Sequence, residues 1–584
     1  MAEQFSLTVD RNAPVRMRDG TLLFADVYRP AAPGRYPTLL QRTPYDKAAL
    51  VTLSSFVLRA TTAGYAVVCQ DVRGRFTSEG EFTTFVHERE DGEDTLEWLV
   101  HQPWCNGHVG MFGQSYVGLT QWQAALSGHP ALEAIVPTVT ADNYHDGWTY
   151  QGGAFELSFN YSWTLSNLIL NTITRHQLDD PSAVADYQRT LDEIDSMPDG
   201  FARLPLAGQP VLAKYAAYYD DWLAHPTYDA FWSGLDVSRG YARMSVPAFN
   251  IGGWHDIFLK GTLGNFTGMR ANAATPAARS AQRLLIGPWN HTGMRGGNPI
   301  GDVDYGARST GAEIDVDGLH LAWFDHWLRG VDTGIDAEPP VRIFVMGANR
   351  WRTSPTWPLP ATDWQAWYLH SAGRANSLNG DGVLTREPPR DEPPDTYVYS
   401  PRNPTPTMGG GLCCNHVFSY GGAFDQRSVE AREDVLVYTS AELTQPVEVT
   451  GPLKVVLYAA SSATDTDFTA KLVDVAPCGC ARNLNDGILR ARYRTSMSQP
   501  ELLTPGAIIR YAIDLIATSN VFLPGHRLRV EIASANYPRF DRNPNTGELP
   551  GTGTQMISAM QTVFHSDTYA SHIVLPVVPS DSPC

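Results

Sequence analysis

The sequence predicts an α/β domain with a mainly parallel sheet, interrupted by a helical insertion and followed by an all-β domain. Three observations carry this. Apolar runs of strand length alternate with helix-like stretches over residues 1–142 and again over 241–350, the pattern of strands joined by crossover helices. Residues 143–240 lose the strand pattern and are dense in Trp, Tyr and Phe. Beyond residue 351 short β-rich runs recur between turns and the helix pattern nearly vanishes. A length of 584 residues suits two or three domains.

In the first part, Thr38-Leu39-Leu40 and Tyr65 to Gln70 are apolar runs bounded by turn residues, as buried strands should be. Asp91 to His101 opens with acidic residues and has helical apolar spacing. Val109 to Phe112 reads as a strand, Leu119 to Leu126 as a helix, and Ile135-Val136-Pro137 as a strand end. The insertion begins with Tyr144, Trp148, Tyr150, Phe155, Phe159, Tyr161 and Trp163, then predicts helices over Ala183–Met197 and Val211–Leu223. The α/β pattern resumes with strands at Val246–Ile251 and Arg283–Ile286, a helix over Gly318–Leu328, and a last strand at Val341–Met346. The β-rich part offers Trp364–Leu369, Asp434–Tyr438, Leu453–Tyr458, Phe468–Val473 and Arg527–Ile532.

A formal net charge of −18 disfavours nucleic acid and anionic membranes as partners. No basic region followed by an apolar core opens the chain at Met1-Ala2-Glu3-Gln4-Phe5, and no run has the length of a membrane span. Seven cysteines are sparse and odd in number, which reads as mostly reduced thiols in a cytoplasmic protein. Neither Cys413-Cys414 nor Cys478-Gly479-Cys480 has the spacing of a zinc site. Metal and organic cofactor are both expected to be absent.

The stretch that carries chemistry is Gly113-Gln114-Ser115-Tyr116-Val117-Gly118, set between a strand and a helix. A serine flanked by glycines on such a turn suggests a nucleophile elbow. The generic pattern wants glycine two residues after the serine; here that residue is Val117, so an incidental serine in a glycine-rich turn fits equally well. A serine nucleophile needs an acid and a base, in the order serine, acid, histidine, each past the end of a strand. Asp256 follows the Val246–Ile251 strand across Gly252-Gly253, and His291 follows Arg283–Ile286 across Gly287-Pro288-Trp289-Asn290. His255 is the rival base, but neighbours on a strand face opposite ways. For the oxyanion, the Tyr116 N–H is one donor. The loop after Thr38–Gln41 offers the Tyr45 phenol, although a loop tyrosine that only packs is the commoner case.

Five segments settle several of these choices by resemblance. Arg42–Lys47, Asp71-Val72-Arg73-Gly74-Arg75-Phe76-Thr77-Ser78-Glu79-Gly80, Gly113–Gly118, Gly252–Asp256 and Gly287–His291 occur in this order. Together they resemble the bacterial cocaine-esterase and X-prolyl dipeptidyl aminopeptidase family of serine hydrolases. In that family the elbow glycine is displaced by one and a tyrosine follows the serine. Asp465–Phe468, Asp486–Arg494 and Leu523–Arg529 resemble the family's carboxy-terminal jelly roll.

The resemblance implies an α/β-hydrolase domain (1–142 and 241–350), a helical cap (143–240) and a jelly roll (351–584). It implies Ser115 as nucleophile, Asp256 as orienting acid, His291 as base, and Tyr45 with the Tyr116 N–H as oxyanion hole. Trp148, Trp163 and Phe258 match positions that wall the acyl pocket. The expected activity is hydrolysis of a small-molecule ester with an apolar or aromatic acyl group. An acylase or aminopeptidase acting on an amide is the alternative, and it would need carboxylates for a free amine; Asp142, Asp146 and Glu156 are nearby in sequence. A non-catalytic jelly-roll binding protein is the reading from another class. Homodimers occur in the family.

Overall fold

The computed structural model describes residues 6–49, 55–177, 180–414 and 421–579; Met1–Phe5 and Cys584 lie outside them. The first sheet has ten strands: β1 (Leu7–Arg16), β2 (Leu22–Pro30), β3 (Tyr36–Thr43), β4 (Ala66–Asp71), β5 (Cys105–Gln114), β6 (Leu132–Thr138), then, after the two-residue strands β7 (Tyr150–Gln151) and β8 (Ala154–Phe155), β9 (Phe249–His255), β10 (Arg283–Asn290), β11 (Val341–Val345) and β12 (Arg350–Ser354). Their order is β1-β2-β4-β3-β5-β6-β9-β10-β11-β12. The strands from β4 to β11 in this order run parallel; β2 runs against both β1 and β4, and β12 runs against β11. β4 is buried along its whole length, as a strand covered on both faces must be. Helices Ser55–Thr62, Glu88–Val100, Tyr116–Leu126, Leu259–Asn272 and Val316–Arg329 flank this sheet. This is an α/β-hydrolase sheet.

Two details differ from expectation. β9 does not stop at Ile251 but runs through Gly252 and Gly253 to His255. The glycines are there for close packing: a Cβ on Gly253 would lie 2.2 Å from the Trp289 carbonyl oxygen, and one on Gly252 would lie 2.9 Å from Ile286 and Thr262 side-chain carbons. The sheet also gains β12, which pairs antiparallel with β11 along its full length, so it ends at Ser354 rather than before residue 351.

Between β6 and β9 the chain forms the cap. Helices Leu157–Trp163 and Leu170–His176 are joined by a π-helical stretch, Thr164–Ile169. The helix predicted over Val211–Leu223 is two, Pro210–Tyr215 and Ala217–Ala224, broken at Ala216. No Pro or Gly marks the break. Its two halves serve different partners: the Tyr215 hydroxyl donates to Asp186 at 2.8 Å, while Trp222 joins a buried aromatic cluster with Trp163 and Tyr219.

The remaining strands build an eleven-stranded, largely antiparallel jelly roll: β13 (Asp363–His370), β14 (Val383–Thr385), β15 (Asp395–Tyr399), β16 (Leu436–Thr439), β17 (Val447–Ser461), β18 (Asp467–Val475), β19 (Ala481–Arg490), β20 (Ile509–Phe522), β21 (Arg527–Ala533), β22 (Ala559–Phe564) and β23 (His572–Val578). Ion pairs fasten it to the rest, those of Arg539 buried and those of Lys260 partly exposed. Arg539 bonds Asp486 of β19 at 2.6 Å and Glu156 of the cap at 3.3 Å. Lys260 pairs with Asp146 at 2.8 Å and Asp514 of β20 at 3.2 Å. The cap is thereby held over the carboxyl ends of the parallel strands.

Candidate active site

Ser115 lies directly after β5 and caps the helix Tyr116–Leu126, with φ 60° and ψ −125°. A non-glycine residue in such a conformation is strained and is held only by its surroundings. Two glycines make those surroundings possible. A Cβ on Gly113, whose φ is +136°, would lie 2.2 Å from a Val117 methyl; one on Gly118 would lie 2.8 Å from Thr140. The displaced glycine thus has a local cause. Position 118 is where the helix crosses the residues after β6, and position 117 faces the substrate side. The Ser115 N–H donates to the Thr138 carbonyl at 2.9 Å, fastening the elbow to β6.

Asp256 follows β9 and His291 follows β10, so both stand at the same sheet edge as Ser115. His291 Nδ1 meets Asp256 Oδ1 at 2.7 Å, both side chains being buried. An ionised carboxylate only accepts, so Nδ1 carries the proton and Nε2 has a lone pair to offer. His255 is turned away. It lies against the Tyr305 hydroxyl at 3.0 Å, and burial pushes its pKa down to about 4. That leaves it too weak a base for neutral pH.

Tyr45 stands two residues beyond β3. It lines the same cavity as Ser115, and the Trp163 indole N–H donates to its phenol oxygen at 2.9 Å. With that oxygen occupied by Trp163, the phenol's own proton is directed into the site. Burial raises the Tyr45 pKa well above 10, partly countered by the bond from Trp163, so the group is a neutral donor at any working pH. Tyr116 opens its helix, where the first N–H groups have no intrahelical acceptor. Its ring is anchored by a 2.9 Å bond from its hydroxyl to Glu88, itself paired with Arg42.

The family profile for X-Pro dipeptidyl-peptidase (S15 family) matches residues 19–293, and the profile for the X-Pro dipeptidyl-peptidase C-terminal non-catalytic domain matches 333–574. A cocaine esterase of Rhodococcus sp. (strain MB1 Bresler) is 41% identical over 98% of this chain and 99% of its own. The chain belongs to the S15 family of serine hydrolases. Among solved structures, an α-amino acid ester hydrolase superposes with a TM-score of 0.81 at 25% identity, covering 99% of this chain and 98% of its own. An aminopeptidase from a marine sediment archaeon (Thaumarchaeota archaeon) superposes at 0.80 and 25%, covering 99% and 97%.

In this S15 hydrolase the elbow opens on a cavity of ≈ 310 Å³. Ser115, Tyr45 and His291 line it, with Phe56, Phe112, Val117, Trp163 and Met294 as apolar walls and Gln41, Asn167, Arg295 and His320 as polar ones. Of the three aromatics expected to wall the pocket, Trp163 does so. Trp148 and Phe258 are fully buried and stacked on each other with ring centroids 4.2 Å apart, a layer behind Trp163 and His291. Phe56 and Phe112 were not singled out from the sequence; a plain apolar strand residue and a helix residue carry no signal that they border a cavity. No Asp or Glu is among the described lining residues. Asp146 and Glu156 are engaged by Lys260 and Arg539, and Asp142 lies near the Tyr241 hydroxyl, 3.4 Å away. Cys414 also lines the cavity and is joined to Cys413 by a disulfide, which corrects the expectation of two thiols there; Cys69, Cys105, Cys478 and Cys480 are free.

Among the described residues no helix is long and apolar enough to cross a membrane.

Proposed function

We propose that this S15 hydrolase is a carboxylic esterase that works through an acyl-enzyme on Ser115. His291 takes the Ser115 proton as the hydroxyl attacks the ester carbonyl, while Asp256 holds the imidazole and balances the imidazolium. The Tyr45 hydroxyl and the Tyr116 N–H receive the negative oxygen of the tetrahedral intermediate. His291 then protonates the leaving alcohol, and water releases the acid by the same steps in reverse.

The observation that carries this reading is Ser115, Tyr45 and His291 converging on one cavity, with Asp256 bonded to His291 behind them. Ester over aminopeptide rests on the lining. A dipeptidyl or aminoacyl substrate brings a cationic amine, and no Asp or Glu is among the described lining residues to receive it. Phe56, Phe112, Trp163 and Met294 suit an apolar group beside the scissile bond. We place the enzyme in the cytoplasm, supported by four free thiols, and take its substrate to be a small molecule. The test is a panel of aryl, alkyl and aminoacyl p-nitrophenyl esters with matched anilides, after labelling with a fluorophosphonate probe. Turnover of the simple esters above the aminoacyl esters and anilides is expected. Preference for an X-Pro anilide would instead make it a peptidase.

A further inference from the structure

Four arginines are among the largest fully buried side chains: Arg42, Arg75, Arg490 and Arg539. Three face carboxylates. Arg42 pairs with Glu88 at 2.9 Å, Arg490 with Asp467 at 2.9 Å and Asp541 at 2.8 Å, Arg539 with Asp486 at 2.6 Å and Glu156 at 3.3 Å. Arg75 pairs with none among the described residues. Its guanidinium is spent on neutral oxygens: Nε donates to the Pro44 carbonyl at 2.8 Å, one Nη to the Leu168 carbonyl at 2.7 Å and Thr172 Oγ1 at 3.3 Å, the other to the Asn167 carbonyl at 3.3 Å. Phe76 and Phe82 lie against it, 5.3 and 5.1 Å from its centre. Burying a cation without a carboxylate is costly, so a stability role alone does not account for it.

Its three carbonyl partners say what it does. Pro44 immediately precedes Tyr45. Asn167 and Leu168 belong to the π-helical stretch that begins directly after Trp163, a departure from α-helix that is frequent at functional sites. Tyr45 and Trp163 are the two side chains that meet in the 2.9 Å bond at the site. Arg75 therefore bridges the backbones that carry both. The rest of its motif braces the same loop: Asp71 accepts from the Lys47 N–H and its ammonium, both at 2.8 Å.

We propose that Arg75 is a positioning residue of the oxyanion hole, fixing the Tyr45 phenol against Trp163 and lending it the field of a buried cation that no carboxylate cancels. It does not touch substrate; it acts through Tyr45. Burial draws its pKa down to about 10, with the phenols of Tyr218, Tyr45 and Tyr116 opposing and Arg175 assisting, so it remains charged at neutral pH. The assignment rests on the esterase reading above, in which Tyr45 serves the oxyanion.

The test is a double-mutant cycle on p-nitrophenyl butyrate with wild type, Arg75→Met, Tyr45→Phe and the double variant, with folding checked by melting temperature. Arg75→Met should lower kcat by about tenfold with KM within about twofold. Arg75→Lys, which keeps the charge but cannot reach all three carbonyls, should recover part of that loss. In the Tyr45→Phe background the Arg75→Met change should cost no more than about twofold further, because the residue it positions is gone. If the two losses multiply, or Arg75→Met keeps wild-type kcat, the assignment of Arg75 is wrong while the esterase reading stands. If Tyr45→Phe alone keeps wild-type kcat, the oxyanion role of Tyr45 fails and that of Arg75 with it. Should Arg75→Met not fold, the same cycle run with Arg75→Lys decides.

Discussion

Among the described residues, serine, histidine and aspartate come together in the α/β domain and again in the jelly roll. In the α/β domain, His291 gives Nδ1 to Asp256 at 2.7 Å and shares a cavity with Ser115. In the jelly roll, His565 places its Nε2 3.2 Å from the Ser371 hydroxyl and 2.9 Å from Asp395 Oδ2, while its Nδ1 faces Glu392 at 3.2 Å. Ser371 itself donates to Asp395 at 2.8 Å. The residue types are the same and the chemistry is opposite. In the first set the acid takes one ring nitrogen and leaves the other for the nucleophile. In the second, acid and serine crowd one nitrogen, the serine proton already belongs to the carboxylate, and Asp395 and His565 are fully buried. A triad is a matter of which atom is left unspent and whether a substrate can reach it.

The sharpest way to break this contrast is to remove each serine. Ser115→Ala should lower kcat by on the order of 10⁶ and abolish fluorophosphonate labelling. Ser371→Ala should leave both unchanged. Labelling that survives Ser115→Ala and is lost with Ser371→Ala would invert the comparison. Asp256→Asn comes next, at about 10⁴ in kcat, because the amide presents the wrong partner to Nδ1; a loss below tenfold would mean His291 is oriented by something else. Tyr45→Phe should cost about 10²–10³ in kcat with little change in KM, as loss of one oxyanion donor does. An effect confined to KM would make Tyr45 a binding residue.

The two sets were unequally legible in the sequence, for a physical reason. Ser115, Asp256 and His291 each stand just past a strand end, and each is announced by local glycines that close packing demands: Gly113 against Val117 and Gly118 against Thr140, Gly253 against Trp289, and Gly287 against the Trp289 ring. Such constraints are written within a few residues of the group they serve. The jelly-roll set is assembled from residues just past β13 and β22 and at the start of β15, with partners 170 and 194 residues apart, so only the folding of the sheet brings them together and no short pattern encodes it. The same distance hid the Trp163–Tyr45 bond, 118 residues long in sequence. It also hid which aromatics face the cavity: composition marked the cluster, but the Trp148–Phe258 stack and the opening beside Phe56 are decided by packing. The segment Asp71–Gly80 stands out as a motif, but its contacts are long-range: Arg75 reaches both Pro44 and Leu168.

The smallest expected effect on catalysis, none, belongs to His565→Gln, and its signature lies in stability. Burial alone would lower the His565 pKa, but the bond to Asp395 and the charge of Glu392 outweigh it and hold the pKa above the ordinary 6.5. Asp395 is depressed below 3.8: burial opposes ionisation, and bonds from His565, the Ala375 N–H, Tyr438 and Ser371 overcome it. The histidine's contribution is therefore full below about pH 6.5 and fades as pH rises through its raised folded value. The aspartate's is present above about pH 4 and fades as pH falls through its lowered one. His370, whose Nδ1 meets Glu392 at 2.7 Å, shares the same carboxylate. His565→Gln should thus destabilise most near pH 5.5, by about 3 kcal/mol as for one partner removed from a buried pair, and less at pH 9. Urea unfolding at the two pH values measures the difference, and kcat should not move. A loss of stability that is equal at both would mean His565 is neutral in the fold and merely packs. A fall in kcat with the fold intact would mean the jelly roll does more for the reaction than hold the cap in place.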